Sequence, residues 1–185
     1  MIKTYVIDTN VLIQAPYAIE CFEENNLVLP LVVLEELDGL KKAEGEKGAN
    51  ARAAVRKLES YRQKGDLLQG VKLPGGGILR IEKNFVQVEL PQDIPDDKPD
   101  NRILKVCKGL AETEKEGQVI LVTKDIVLRL KAQILGIRAE DFERERISED
   151  DAQYTGRTEI YFPEEKVKEF KKKGIPLTDA YQSDE

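Results

Sequence analysis

The chain has 185 residues, of which 41% are hydrophobic and 35% charged, and its formal net charge is −6. This balance is typical of a folded domain with an appendage, and no apolar run approaches the roughly 20 residues of a membrane span. The sequence contains no histidine, which excludes Ser-His-Asp triads, His-containing zinc sites and nucleases with a histidine base. Any chemistry must therefore depend on carboxylates, lysine, tyrosine or metal. We expect a cytoplasmic protein without membrane association.

Short apolar runs alternate with helical patterns over the first 140 residues. The predicted strands and helices are, in chain order, a strand at 4–7, a helix at 10–23 interrupted by Pro16, a strand at 27–29, helices at 31–40 and 49–64, a helix at 101–115, a strand at 119–122, a helix at 126–135 and a strand at 137–139. This alternation predicts an α/β fold, namely a three-layer α/β/α sandwich with a mostly parallel central sheet and a short C-terminal appendage.

Three segments depart from this alternation. Residues 41–48 are charged and contain glycines, which predicts a loop. Residues 65–90 contain short β-like pieces, the last at 86–90, and predict a hairpin-like insertion. From residue 141 the pattern loosens, with a strand expected at 158–162 and a helix at 163–173. We expect one domain at 1–140 and an extension or linker at 141–185 that leads to a second domain missing from this chain.

Four carboxylates stand at the ends of predicted elements. Asp8 follows the first strand, Glu36 lies on the helix after the second strand, Asp100 begins a helix, and Asp125 follows the most strand-like run of the chain. The carboxyl ends of parallel strands meet at one edge of a sheet, so Asp8 and Asp125 are expected at the same edge. Clustered carboxylates repel one another unless a proton or a cation neutralises them, and oxygen ligands favour Mg²⁺ or Mn²⁺.

Each of these carboxylates also has a plain structural explanation. Asp8, Asp100 and Asp125 stand where helix N-caps are favoured, and Glu36 suits a solvated helix position. Considered singly, each residue leaves both interpretations open. The ordered set of four favours a shared site.

The chain resembles the PIN domains in four short segments that occur in the order of that family. They are residues 6–12, 30–37, 100–104 and 121–125, and the resemblance covers residues 1 to about 140. Residues 33–42 and 48–52 are most similar to the PIN domains that are joined to a PhoH-type ATPase in bacteria. The phosphate-binding motif G-x-x-x-x-G-K-[ST] does not occur here, so the ATPase half is expected to lie outside this chain.

The resemblance implies a divalent-metal-dependent endoribonuclease that hydrolyses phosphodiester bonds of single-stranded RNA by a metal-activated water. It implies that Asp8, Glu36, Asp100 and Asp125 converge as catalytic groups and as ligands of Mg²⁺ or Mn²⁺. The spacing to the leucines that follow selects these residues over their acidic neighbours, which are Glu35 beside Glu36, and Asp96 and Asp97 before Asp100.

Polar residues around the four carboxylates receive supporting roles. Thr9, Asn10 and Thr123 are expected to orient the ligands through hydrogen bonds. Basic residues are expected either to contact RNA phosphates or to be solvated surface charges, and they are Lys41, Lys42, Lys47, Arg52 and Lys124. We also expect single-stranded RNA as the partner, a homo-oligomer, and a PhoH-type ATPase domain in the full-length protein.

Two other functions stay open at this stage. A non-catalytic RNA-binding or regulatory module attached to a PhoH-type ATPase would keep the fold without the chemistry. A complete acidic quartet disfavours it, because a site without chemistry has no need of four mutually repelling carboxylates. A receiver-type Mg²⁺-dependent phosphotransfer domain is also α/β, but the paired acids expected just after its first strand are absent.

Overall fold

The computed structural model describes residues 2–95, 97–114 and 117–142. These residues form a domain around a six-stranded sheet. Its strands are β1 (Thr4–Ile7), β2 (Asn26–Pro30), β3 (Val71–Lys72), β4 (Ile78–Glu82), β5 (Val119–Val122) and β6 (Arg138–Glu140). They lie in the order β3-β4-β2-β1-β5-β6, and every neighbouring pair is parallel except β3 with β4. The mostly parallel sheet that the sequence predicts is therefore confirmed.

Helices connect these strands. They are α1 (Thr9–Gln14), a 3₁₀ helix (Pro16–Glu20), α2 (Leu31–Leu40), α3 (Gly45–Arg62), α4 (Pro99–Thr113) and α5 (Ile126–Ile134). The chain moves across the sheet in one direction from β1 to β2 and in the other from β5 to β6. Parallel crossovers are right-handed, so α1 and α5 lie on opposite faces. The predicted three-layer α/β/α sandwich is thereby confirmed.

The two central strands explain why the sequence pattern is easy to interpret here. All four residues of β5 are buried, and Val6 and Ile7 at the end of β1 have no exposed surface. The register places Thr4 opposite Val119 and Ile7 opposite Val122. Because layers cover both faces of the sheet, its central strands are continuous apolar runs rather than alternating ones.

The strand predicted at 86–90 is wrong. The Val88 N–H donates to the Phe85 carbonyl oxygen at 2.9 Å, which closes a turn. Val88 is buried but Val86 is 83% exposed. The apolar alternation of this segment therefore reflects one anchor in a loop and not a strand face.

The helix predicted to start at residue 49 instead begins at Gly45. Two glycines weaken the helix propensity of this first turn, which is why the sequence predicts a loop to residue 48. Packing overrides that preference. A Cβ on Gly48 would lie 1.8 Å from the Ala43 carbonyl oxygen, so a glycine here lets α3 pack against the loop before it. The Asn50 side chain also donates to the Ile13 carbonyl oxygen at 2.9 Å.

The region at 65–90 contributes to the central sheet. β3 and β4 form an antiparallel hairpin, and β4 pairs in parallel with β2. Residues 143–185, with the predicted strand and helix of the C-terminal extension, lie outside the described residues, so the boundary at 140 stays a prediction. Among the helices that the structure describes, none combines the length and apolarity that crossing a membrane requires.

Candidate active site at the carboxyl edge of the sheet

The candidate site lies where β1 and β5 end side by side. These neighbouring parallel strands lead to helices on opposite faces, and such a switch point opens a crevice at the carboxyl ends of the strands. The Asp8 N–H donates to the Val122 carbonyl oxygen at 3.0 Å, which extends the pairing by one residue. The sheet therefore fixes the backbone of Asp8.

The Asp8 side chain is buried, with only 4% of the residue exposed. Asp8 occupies the N-cap position of α1, yet its carboxylate makes no capping hydrogen bond. Its Oδ2 instead accepts a hydrogen bond from Thr123 Oγ1 at 2.6 Å. The capping explanation for Asp8 is therefore wrong, and its partner comes from the end of the neighbouring strand.

The Thr123 hydroxyl has a fixed direction. Its Oγ1 accepts hydrogen bonds from Asn10 Nδ2 at 3.2 Å and from the Asp125 backbone N–H at 3.0 Å. A hydroxyl has two lone pairs and one hydrogen, so the hydrogen is left for Asp8. Asn10 is held in turn by the Lys124 N–H, which donates to its Oδ1 at 3.1 Å. Thr123 and Asn10 thus orient the Asp8 carboxylate.

A cavity of about 360 Å³ at this edge is lined by three of the four predicted carboxylates, Asp8, Glu36 and Asp100. They arrive from the β1–α1 junction, from α2 and from α4. Asp100 lies in the first turn of α4, where the N-cap residue is Lys98, so the capping explanation is wrong for Asp100 as well. The structure brings together residues that are 92 positions apart, from 8 to 100.

Thr9 and Glu36 form a direct contact inside this cavity. The Thr9 hydroxyl donates to Glu36 Oε2, which ties α1 to α2. Glu36 is half-buried, whereas its neighbour Glu35 is exposed. The cavity wall also contains residues that the sequence did not single out, namely Ile13, Gly39 and Leu40. The helical spacing of apolar residues was the signal for Ile13 and Leu40, and Gly39 had no such signal.

The electrostatic environment of Asp8 disfavours its charged form. The pKa of the Asp8 carboxyl is raised to about 6, chiefly by burial and also by the negative charges of Asp100 and Glu36. The hydrogen bond from the Thr123 hydroxyl opposes this shift most strongly, and the nearby backbone N–H of Thr9 also lowers the pKa. A buried carboxylate that faces two like charges is stabilised by a bound proton or cation.

Asp125 has a different environment. Its Oδ1 accepts hydrogen bonds from the N–H groups of Val127 at 2.7 Å and Leu128 at 3.3 Å, so it caps α5. It is half-buried and is not among the residues that line the acidic cavity. The structure therefore places the fourth predicted carboxylate beside the cavity, with one oxygen engaged by the helix.

Among the predicted phosphate contacts, Lys47 lies at the acidic cavity. It is exposed in the first turn of α3 and forms part of the cavity wall. Lys42 is exposed in the preceding loop. The other three have partners within the protein: Lys41 pairs with Asp38 at 2.5 Å, Lys124 pairs with Asp141 at 3.3 Å, and Arg52 donates to the Lys41 carbonyl oxygen at 2.7 Å.

The residues at this site suit a hard divalent cation in their chemistry. Carboxylate and hydroxyl oxygens are the ligands that Mg²⁺ and Mn²⁺ prefer, and a cation would offset both the burial and the repulsion that raise the Asp8 pKa. Across residues 2–95, 97–114 and 117–142, no group of three or more Asp, Glu or Cys side chains stands close enough to hold a metal ion as arranged. The oxygen atoms of these residues suit the cation in type, but in the described residues they are too far apart to bind one ion together.

The fold and the site define an α/β protein with an acid-lined cavity at the switch point of a parallel sheet. A family model described as the PIN domain matches residues 5–143. The chain belongs to the PIN domain family, as its sequence predicts. Members of this family are generally metal-dependent nucleases.

Curated relatives extend the comparison. Protein PhoH2 of Bacillus subtilis (strain 168) is 44% identical over 188 residues, which cover 98% of this chain and 42% of that protein. Protein PhoH2 of Thermobispora bispora is 38% identical over 160 residues, with coverages of 85% and 35%. The chain thus spans about two fifths of the length of these relatives. A solved structure of the PIN domain of human SMG5 is 17% identical and covers 75% of this chain and 91% of that one, with a TM-score of 0.42.

Proposed function

We propose that this chain is a divalent-metal-dependent endoribonuclease that hydrolyses phosphodiester bonds of single-stranded RNA. The observation that supports this most directly is the environment of the Asp8 carboxyl. This group is buried, accepts a hydrogen bond from Thr123 and experiences the negative charges of Asp100 and Glu36. A carboxyl that lines a cavity and whose ionised form is disfavoured is typical of a functional site. Family membership supports the same class of reaction.

The proposed cation is Mg²⁺ or Mn²⁺, held by Asp8, Asp100 and Glu36. Asp125 would contribute less, because its Oδ1 caps α5. A metal held by these residues would supply Lewis-acid stabilisation of charge on the phosphate and would make water a better nucleophile at neutral pH.

The residues of the chain supply position and charge. Thr123 and Asn10 hold the Asp8 carboxylate in one orientation before substrate arrives, so little reorganisation is needed during the reaction. Lys47, exposed in the wall of the cavity, neutralises an incoming phosphate. Because water is the attacking group, the ribose 2′-hydroxyl has no chemical role. The preference for RNA then comes from binding contacts.

We further propose that this domain works beside a PhoH-type ATPase in a longer cytoplasmic protein that forms homo-oligomers, with residues 141–185 as the linker. The names of the relatives support the ATPase, since the matched PhoH2 proteins are more than twice as long as the matched segment. The ATPase would bring RNA to the acidic cavity.

A second candidate function is a non-catalytic RNA-binding or regulatory module. One observation favours it: in the described residues no three acidic side chains converge on a metal position. Glu36 accepts a hydrogen bond from Thr9, and Asp125 caps a helix. This candidate predicts binding of RNA without cleavage.

The test is cleavage of 5′-labelled single-stranded RNA in Mn²⁺ or Mg²⁺. Asp8→Asn and Asp100→Asn should each slow cleavage by about 10³-fold, because each removes several kcal/mol of metal-dependent stabilisation. EDTA should stop the reaction. Glu35→Gln is the matched control, since Glu35 is exposed beside Glu36 on the same helix.

Cleavage that survives both substitutions, or that persists in EDTA, contradicts the proposal. Binding without cleavage by the wild-type chain supports the second candidate instead.

A further inference from the structure

A second cavity, of about 400 Å³, lies at the end of β4 and is formed by Leu31 and residues 82–87. β4 is parallel to β2, and β2 is parallel to β1. The second cavity therefore lies at the same carboxyl edge as the acidic cavity, two strands away. At about 4.8 Å between neighbouring strands, the ends of β1 and β4 are roughly 10 Å apart.

One part of this cavity wall is apolar and exposed. Leu31 is 38% exposed, Val86 is 83% exposed, and Phe85 is half-buried. The Phe85 backbone has a φ of 45°, in the left-handed region that non-glycine residues rarely adopt. Its ring packs against α4 at Gly109, where a Cβ would lie 2.2 Å from the ring Cδ1. A strained turn and a glycine thus hold this apolar surface in place.

The polar part of the wall contains an unpaired acceptor. Asn84 Oδ1 is buried and has no hydrogen-bond partner among the residues that the structure describes. A buried carbonyl oxygen without a partner costs free energy, and a ligand that donates a hydrogen bond removes this cost. Lys83 is exposed next to it. Glu82, the acidic residue of the wall, pairs with Arg80 at 3.5 Å.

We propose that this second cavity is a nucleobase subsite for the RNA strand that is cleaved in the acidic cavity, an inference that rests on the proposed function. The apolar wall contacts the face of one base, the Asn84 side chain turns so that its buried Oδ1 accepts a hydrogen bond from an exocyclic amino group, and Lys83 contacts a neighbouring phosphate. Proteins bind unstacked single-stranded bases with this combination of apolar surface, edge hydrogen bond and cation. A separation of roughly 10 Å between the strand ends is short enough for one strand of RNA to reach both cavities.

The subsite gives the strand a base preference as well as a position. Cytosine, adenine and guanine carry exocyclic amino groups, whereas both exocyclic groups of uracil are carbonyl oxygens. An acceptor at Asn84 that receives an exocyclic amino group therefore disfavours uracil.

The test is the affinity of the 185-residue chain for ten-nucleotide probes, measured by fluorescence anisotropy in EDTA so that no probe is cleaved. The probes are oligocytidylate, oligouridylate and a ribose-phosphate decamer without bases. Wild type should bind oligocytidylate about ten-fold more tightly than the abasic decamer. Val86→Ser should reduce that ratio to about two-fold, and Asn84→Ala should remove the preference for oligocytidylate over oligouridylate. Val127→Ser is the matched control, because Val127 is a 55% exposed valine on α5.

The subsite is overturned if wild type binds oligocytidylate and the abasic decamer equally, if it binds neither, or if Val86→Ser leaves the ratio unchanged. Base-dependent binding without cleavage in Mn²⁺ contradicts the hydrolytic function and leaves the subsite standing. Cleavage together with binding that does not depend on the bases supports the hydrolytic function and contradicts the subsite.

Discussion

Asp8 and Asp125 occupy equivalent places at two neighbouring junctions of the chain. Each follows a central parallel strand, and each stands at the N-cap position of the next helix. Asp125 caps α5 with its side chain, as its local sequence favours. Asp8 leaves α1 uncapped and accepts a hydrogen bond from Thr123, which is 115 residues away. The same local pattern thus gives one carboxylate that stabilises a helix and one that is held in a cavity.

Removing the charge at Asp8 is expected to give the largest change in stability. Below about pH 3.8 the carboxyl is protonated in the folded and unfolded states and imposes no penalty. From there to about pH 6 the unfolded state loses its proton first, so the free energy of unfolding falls as pH rises. Above the folded pKa the penalty is complete, on the order of 3 kcal/mol.

Asp8→Asn should therefore be more stable than wild type at pH 8 in EDTA, by up to about 3 kcal/mol, and should lose this advantage near pH 4. Urea unfolding followed by circular dichroism at both pH values measures the difference. Asp125→Asn keeps a capping side chain and should stay within about 0.5 kcal/mol of wild type at pH 8. A destabilised Asp8→Asn at pH 8 would contradict the assigned environment.

Thr123→Val tests the hydroxyl that connects the two junctions. The substitution keeps the side-chain shape but leaves Asn10 and the Asp125 N–H without their acceptor, at a cost of about 1–3 kcal/mol. It should also raise the pKa of Asp8, since the hydrogen bond that lowers it is lost. Carbon-13 NMR titration of the Asp8 carboxyl measures this change. Thr123→Ser keeps the hydroxyl and serves as the control, and an unchanged pKa in Thr123→Val would refute the role of this bond.

Substitutions of Asp125 should give the smallest change in the free energy of unfolding, because this side chain stabilises only the N-terminal end of α5. Asp125→Ala should lower the free energy of unfolding by about 1 kcal/mol, because the N–H groups of Val127 and Leu128 lose their acceptor. Asp125→Ser retains a capping oxygen and should lose only a few tenths of that amount. Thermal unfolding compares the two, and equal losses would argue against capping by this side chain.

The positions of Asp8 and Asp125 at the two junctions can be predicted from the sequence. The apolar runs at β1 and β5 locate both junctions, and the rule that parallel strands share a carboxyl edge places Asp8 and Asp125 there. The direction of the Thr123 hydroxyl is not accessible, because its partners Asn10 and Asp8 come from the other end of the domain. Whether an aspartate after a strand caps its helix therefore depends on tertiary contacts.

Two other features also depend on tertiary contacts that the local sequence does not show. Residues 86–90 alternate like a strand, yet a single buried anchor in a turn produces that pattern. The first turn of α3 has weak helix propensity, and its contact with Ala43 and the preceding loop forms only in the folded chain. As a result, the position of Lys47 at the acidic cavity does not follow from local preferences.

The most direct test of the central claim is a single-turnover cleavage rate on one single-stranded RNA in Mn²⁺, measured for wild type, Asp8→Asn and Asp125→Ser. If the carboxylate at the β1–α1 junction carries the chemistry, Asp8→Asn slows cleavage by about 10³-fold, whereas Asp125→Ser, which keeps the helix cap, slows it by at most about ten-fold. Equal losses, or a larger loss in Asp125→Ser, would contradict the assignment of the reaction to Asp8 and its cavity.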